Sequence, residues 1–263
     1  MEYYKVHNNV FAFTSVERSA NLKIYDLPSY LVLIDAGGKT EDMKKWRNEV
    51  ENHFEKKIKK VILTHFHSDH TNSLSAFADC EVIASNQLVD NLKQTKRKTQ
   101  ENNNLISPNI TFDETYSVKE DKIELIIKHT GGHTNCSSYI YCPNFKVINV
   151  GDNYFANSYT WGGAKRADPE RWIRALEEYL GVDVDHVIPG HGPVCGKPEL
   201  ELWLKYIKAV RKVIVTEIQS GKGKDDVLKI ANEVTYDVPT QSFSKKSTLL
   251  TWYNFWKKHY PSR

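Results

Sequence analysis

The densest chemistry in the chain is His65-Phe66-His67-Ser68-Asp69-His70, which follows the apolar strand-like run Lys60-Val61-Ile62-Leu63-Thr64. Three imidazoles and one carboxylate within six residues are metal-ligating types, and a poor way to end a strand for packing alone. In an extended segment His65 and His67 project to the same side. Asp69 and His70 come where the chain leaves the strand, so they aim at a second point a few ångströms away. A helical H-E-x-x-H places two imidazoles one turn apart on a single zinc. An extended stretch that then turns suits two adjacent metals better. The bland alternative, a His-rich surface loop, loses ground if the rest of the chain supplies further ligands. Three later apolar runs end in such candidates.

The elements that would position this cluster are readable in outline. Val10-Phe11-Ala12-Phe13, residues 21–25 and residues 29–34 read as successive strands. Between the first two lies a polar loop carrying Arg18, taken as a solvated charge. Thr40 is a candidate cap for a helix with Glu41 and Asp42 in its first turn and Met43, Trp46, Val50 and Phe54 as its buried stripe. Leu74 and Phe77 suggest a short helix, residues 81–84 a strand, and Ser85 or Asn86 the start of another helix. Residues 94–104 are strongly polar and read as an exposed insertion; its Lys96-Arg97-Lys98 run is a solvated face before it is a phosphate site. Residues 122–129 form a strand, with His129 inside it packing or facing water, and Cys142-Pro143-Asn144 turns a hairpin. Asp168-Pro169-Glu170 opens a helix by cap, proline and acidic first turn, with Trp172, Ile173, Leu176 and Leu180 on its apolar face. Leu200, Trp203, Leu204, Ile207, Val210, Ile214 and Ile218 then trace a long amphipathic helix, with shorter helices after it.

Thr64-His65-Phe66-His67-Ser68-Asp69-His70 resembles the H-x-H-x-D-H signature of the metallo-β-lactamase-fold hydrolases. Thr130-Gly131-Gly132-His133-Thr134, Gly151-Asp152-Asn153 and Pro189-Gly190-His191-Gly192-Pro193 resemble the family's G-H-T, G-D and P-G-H-G-P elements. The resemblance implies a four-layer αββα sandwich with a dinuclear site, usually zinc, at its edge. It further implies that His65, His67 and His133 hold one ion, that Asp69, His70 and His191 hold the other, and that Asp152 bridges them. Asp69 would be the catalytic group that orients the nucleophile and shuttles its proton. Asp35 resembles a strand-end Asp behind the metal site that steadies a ligand by an outer hydrogen bond; it reads equally well as a turn residue before Gly37-Gly38. His186 begins the last strand and reads as structural. One departure is Asn135-Cys136, where the family usually has a second small residue beyond the His-Thr.

The expected cofactor is two Zn²⁺ per chain, with iron or manganese also compatible with imidazole and carboxylate ligands. Two ions roughly 3.5–4 Å apart can share a hydroxide formed near neutral pH. The expected activity is hydrolysis of a small ester, lactone, thioester or cyclic amide. Asp152 leans away from efficient β-lactam cleavage, because zinc β-lactamases resemble this ligand set but carry Cys or Ser there. A metal-dependent ribonuclease or phosphodiesterase is the alternative, and a non-catalytic metal-binding protein a further one. Residues 154–167 leave Asp152 directly; Tyr159, Trp161, Lys165 and Arg166 there either face substrate or pack and solvate.

Composition bounds the rest. At 263 residues the expected organisation is a catalytic domain over residues 1–196 and a helical extension over 197–263 packed on it. A formal net charge of +3 does not imply wholesale nucleic-acid binding, so RNA is not favoured as a partner. Cys80, Cys136, Cys142 and Cys195 form no C-x-x-C pair and read as reduced thiols. No apolar run approaches a membrane span. The N-terminus lacks the apolar core of a signal peptide, so a cytoplasmic monomer or homodimer is expected.

Overall fold

The protein is described from a computed structural model, over residues 3–13, 20–99, 106–237 and 244–261. Arg18 and residues 100–104 lie outside the described residues.

One sheet takes its seven strands in chain order: β1 (Tyr4–His7), β2 (Val10–Phe13), β3 (Leu22–Asp26), β4 (Leu31–Ile34), β5 (Ile58–Ile62), β6 (Glu81–Ser85) and β7 (Ile110–Phe112). β1 to β4 are antiparallel. From β4 onward the pairs are parallel, so crossovers are required. Helix α1 (Thr40–Phe54) joins β4 to β5, the single turn α2 (Ser68–Thr71) lies between β5 and β6, and α3 (Asn86–Thr99) joins β6 to β7. The second sheet has the order β12-β11-β10-β9-β8, built from β8 (Thr115–Glu120), β9 (Ile123–His129), β10 (Ser138–Cys142), β11 (Val147–Phe155) and β12 (His186–His191). Its one parallel pair, β11 with β12, is spanned by α4 (Pro169–Gly181).

Alternation along the strands makes the layers. In β2, Val10 and Ala12 turn to a cluster shared with Leu125, Ile127, Ile140 and Ile188 of the other sheet, while Phe11 and Phe13 turn to Met43 and Val50 of α1. The outer face of the second sheet (Tyr139, Ile148, Val187) packs under Trp172 and Leu176 of α4. The result is helix, sheet, sheet, helix, the αββα arrangement.

The tail helices α5 (Lys197–Gln219), α6 (Lys224–Asn232) and α7 (Ser244–His259) join that last cluster. Trp172, Trp203, Trp252 and Trp256 are fully buried there. At about 25 cal/mol per Å² and roughly 150–250 Å² per ring, each contributes a gross ~4–6 kcal/mol of burial.

One local expectation is corrected. Thr40 is the first helical residue of α1, with Lys39 in the cap position and making no side-chain cap bond. The Thr40 hydroxyl instead lies 3.2 Å from that of Ser75, so a tertiary partner outcompetes the cap. The polar stretch from Gln94 begins inside a helix, because α3 continues to Thr99. Asp168 does cap α4, accepting from the Arg171 amide at 2.9 Å.

Candidate metal centre

The candidate residues meet at one end of the two sheets. The chain runs on from β5 through Leu63 and Thr64 to His65, and His67 keeps extended dihedrals (φ −63°, ψ 150°) at the cap of α2. α2 then carries Asp69 and His70. His133 comes from the β9–β10 loop, Asp152 lies within β11, and His191 ends β12. The structure brings all seven into two groups, His65-His67-His133-Asp152 and Asp69-His70-Asp152-His191, with the ligand-type atoms of each group within 4.8 Å of one another. Asp152 belongs to both.

Outer hydrogen bonds determine which ring nitrogens face inward. His133 Nδ1 lies 2.7 Å from the Trp161 carbonyl, so it must donate. The Thr64 hydroxyl donates to Asp35 at 2.9 Å and is therefore an acceptor for His65 Nδ1 at 3.1 Å. His70 Nδ1 donates to Asp35 Oδ2 at 3.0 Å. Each donation leaves the Nε2 of a neutral ring as a bare lone pair aimed into the cluster. His65 Nε2 and His133 Nε2 both lie 3.0 Å from His67 Nδ1. Asp152 Oδ2 is 3.5 Å from the first and 3.4 Å from the second. In the other group Asp152 Oδ1 is 3.0 Å from His70 Nε2 and 3.4 Å from His191 Nε2, and Asp69 Oδ2 is 3.3 Å from His191 Nε2. His70 Nε2 and Asp152 Oδ1 are buried and have no hydrogen-bond partner. Buried imidazole nitrogens and carboxylate oxygens converging within 4.8 Å of one another are what a divalent cation satisfies, so the donor set fits metal ions.

The electrostatics differ between the two groups, and a cation entering the second must displace protons from His70 and His191. Burial, followed by neighbouring imidazoles, holds His65 and His67 neutral, with His67 driven down to about 3. Burial lowers His133 as well. Burial also opposes a charge on His70, but Asp152 and Asp35 on either side outweigh it and push the ring up to about 10. His191 is raised to about 9 against its burial, chiefly by Asp152. Burial works against an ionised Asp152 too, and His70, His191 and His65 overcome it. That carboxylate is the negative centre of the site.

Residues 24–191 match the family profile described as metallo-beta-lactamase superfamily. The chain belongs to that superfamily. Among its relatives, a linear primary-alkylsulfatase from Pseudomonas sp. (strain ATCC 19151) is 22% identical over 222 residues, covering 67% of this chain and 42% of the relative. A metallo-beta-lactamase type 2 from Bacillus sp. (strain 170) is 24% identical over 197 residues, covering 73% of this chain and 74% of the relative. The solved structure of a double mutant of the sec-alkyl sulfatase PisA1 superposes with a TM-score of 0.75 at 17% identity, over 98% of this chain and 50% of that one. This superfamily chain thus spans less than half the length of the alkylsulfatase, and its likeness to PisA1 is one of fold.

Two glycines mark how tightly the superfamily site is built. A Cβ on Gly190 would sit 2.0 Å from Asp152 Oδ1, and one on Gly37 would sit 1.6 Å from the Asp69 carbonyl oxygen.

Of the two readings of Asp35, the outer-partner one holds. It is fully buried with φ 64°, takes the Thr64 amide and hydroxyl, and holds His70. Its counter-ion, Lys23, is equally buried at 3.2 Å. Nothing in the sequence pointed to Lys23, since a lysine in a strand reads as outward-facing. Asn153 was also passed over. Its Oδ1 accepts from the His133 amide at 2.8 Å, and its Nδ2 donates to Tyr179 and the Gly131 carbonyl. Asn21 Nδ2 donates to the Pro189 and Gly192 carbonyls, clamping the loop that carries His191. The unusual Asn135 is pinned from α3 by Asn91 at 2.7 Å. His129 stays out of the cluster, its ring between the carbonyls of Asp113 and Asn135.

The loop after β11 divides. Tyr159 does not face the site: it is buried, with its hydroxyl 3.0 Å from that of Tyr206 on α5. Trp161 does, its ring 5.8 Å from those of both His67 and His133. Phe155 lies edge-on to His191 at 4.5 Å. Lys165 is exposed, and Arg166 rests over Phe66 at 5.4 Å.

Proposed function

We propose that the chain is a dinuclear-metal hydrolase of a small ester, lactone, thioester or cyclic amide, with His65, His67 and His133 on one ion, Asp69, His70 and His191 on the other, and Asp152 between them. The observation that supports this most is the shared carboxylate: its two oxygens face two separate sets of imidazole nitrogens. Zinc suits these ligands, as do iron and manganese. Such ions, when bound, supply a water deprotonated near neutral pH and an electrophile for the substrate oxygen.

The chain's own residues do the remainder. Asp35 and the Trp161 carbonyl keep His70 and His133 in the tautomers that present Nε2. Asp69 is the ligand-type carboxylate most open to solvent, with 40% of its side chain exposed against 4% for Asp152. That exposure supports a role for Asp69 in orienting an attacking water and carrying its proton to the leaving group. Trp161 and Phe155 pack against the His133 and His191 rings and offer apolar surface beside them.

Hydrolysis is tested with zinc-reconstituted protein on a panel of neutral ester, lactone, thioester, β-lactam, primary alkyl sulfate and RNA. The alkyl sulfate is included because one relative is named for it. Turnover of an ester, lactone, thioester or lactam that is abolished by chelation and restored by metal supports the reading. Cleavage of RNA alone, or of nothing, overturns it.

A further inference from the structure

The C-terminal helix α7 is far from every metal-ligating residue in sequence, yet it ends one hydrogen bond from the partner of His133. Thr248, fully buried, accepts from the Gly162 amide at 2.8 Å through its hydroxyl. Gly162 follows Trp161, whose carbonyl takes the His133 Nδ1 proton at 2.7 Å. On the same helix Ser247 accepts from the Trp161 indole at 3.3 Å, and Thr251 donates to the Gly163 carbonyl at 3.3 Å. Three consecutive loop residues are therefore held by three hydroxyls of one helix. The approach is close: a Cβ on Gly162 would lie 2.7 Å from Thr248 Cγ2 and 2.9 Å from the Trp252 indole nitrogen. A second line of contact runs beside it. Trp252 of α7 packs edge-on against Trp172 at 5.9 Å. Trp172 in turn packs edge-on against the His133 ring at 5.8 Å and donates to the Asn153 carbonyl at 2.9 Å.

We infer that α7 is a working part of the metal centre, and that Thr248 is a positioning residue which aims His133 Nε2 by fixing the Trp161–Gly162 peptide. That one peptide unit carries both bonds: its carbonyl orients the imidazole and its N–H is anchored by Thr248. Without the anchor the peptide plane is free to rock, and the Nδ1 acceptor rocks with it. Groups that orient metal-bound histidines in this way govern affinity at the site they serve, typically by 10–100-fold. Thr248 acts one bond further out, so the lower end applies. The effect is also local. It reaches the His65-His67-His133 group and leaves Asp69, His70 and His191 to their own supports, Asp35 and Asn21.

This inference rests on the proposed metal reading, and the experiment separates the two. Thr248→Val keeps the shape and removes the hydroxyl; Thr248→Ser keeps the hydroxyl. Each is loaded with Co²⁺ and titrated with a chelator, following metal release and the visible absorption spectrum, with the thermal midpoint of the metal-free protein as the folding control. The expected result is that Thr248→Val releases one of its two ions at about tenfold lower chelator concentration, with an altered cobalt spectrum. The second ion stays near parental affinity, and Thr248→Ser behaves as the parent. A Val variant within twofold of the parent and spectrally identical overturns the role of Thr248, as does equal loosening of both ions, which would mark a merely structural effect. A parent that binds no cobalt overturns the metal reading, and the inference falls with it.

Discussion

Asp35→Asn separates what the buried charge behind the site does for stability from what it does for metal. Lys23 and Asp35 are both fully buried and 3.2 Å apart. Burial works against the ionised carboxyl, and Lys23, followed by His70, holds its pKa below the usual range nonetheless. The backbone at φ 64° accepts Asn as readily as Asp, so the substitution introduces no strain. What it leaves is a buried ammonium without a counter-charge. Breaking one side of a buried pair costs about 3–5 kcal/mol. At roughly 2–4 °C per kcal/mol for a chain of this size, the metal-free midpoint should fall by about 6–20 °C. Adding Lys23→Met removes the orphan charge, and the double variant should regain at least half of that loss. Metal responds differently. An amide has one acceptor oxygen where the carboxylate uses two, so it cannot serve both Thr64 and His70. Affinity of the His70-containing group should drop about 10–100-fold in the single and the double variant alike. Differential scanning calorimetry and chelator competition read the two effects. A double variant as unstable as the single, or unchanged metal affinity in both, would refute the reasoning.

Asp152→Ala should lose at least about a hundredfold in kcat/KM, on the scale of removing a preorganised charge. Its metal-free midpoint should fall at neutral pH, because the buried carboxylate that holds His70 and His191 protonated is lost; near-parental turnover would remove Asp152 from the bridging role. Lys165→Ala and Arg166→Ala, made separately, test the loop cations on whichever anionic substrate is turned over best. An anchoring role requires that one of them reduce kcat/KM roughly tenfold, about 1.4 kcal/mol, with metal content unchanged, and two parental variants would rule it out. On the acid side, hydrogen bonds from Arg47 hold Asp79 down at about 2. Burial works against ionised Glu51, but bonds from Lys57 and Arg47 bring it below its usual range. Both folded values are depressed, so their stabilisation is full above the ordinary carboxylate range and fades as pH falls from about 4 towards about 2. The midpoint gap between metal-free parent and Arg47→Met should therefore be widest near pH 6 and shrink towards pH 2 to 3; a gap independent of pH would contradict the sign.

What was legible in the sequence was whatever residue type alone reports. His65, His67, Asp69 and His70 stand out because so few side chains bind metal and they cluster where a strand ends. Short apolar runs marked most of the strands, and the family resemblance implied their arrangement in two sheets. What stayed hidden depended on partners distant in the chain. Lys23 looked like any surface lysine until Asp35 was seen against it. Whether Tyr159 faces substrate or packs stayed open because nothing local announces Tyr206 as its partner, 47 residues on. The support of His133 by a main-chain carbonyl, and of that carbonyl's peptide by Thr248, carries no signal in residue type at all. Thr40 shows the same limit at short range, its hydroxyl drawn to Ser75 and away from the cap.

The central claim is that two ions sit on one shared carboxylate. Elemental analysis of protein stripped by chelator, reloaded with Zn²⁺ at neutral pH and freed of excess metal should find two equivalents per chain. Repeated after dialysis in acid, where the imidazoles compete for protons, it should find the metal lost. A parent that holds one equivalent or less after reloading contradicts the dinuclear account.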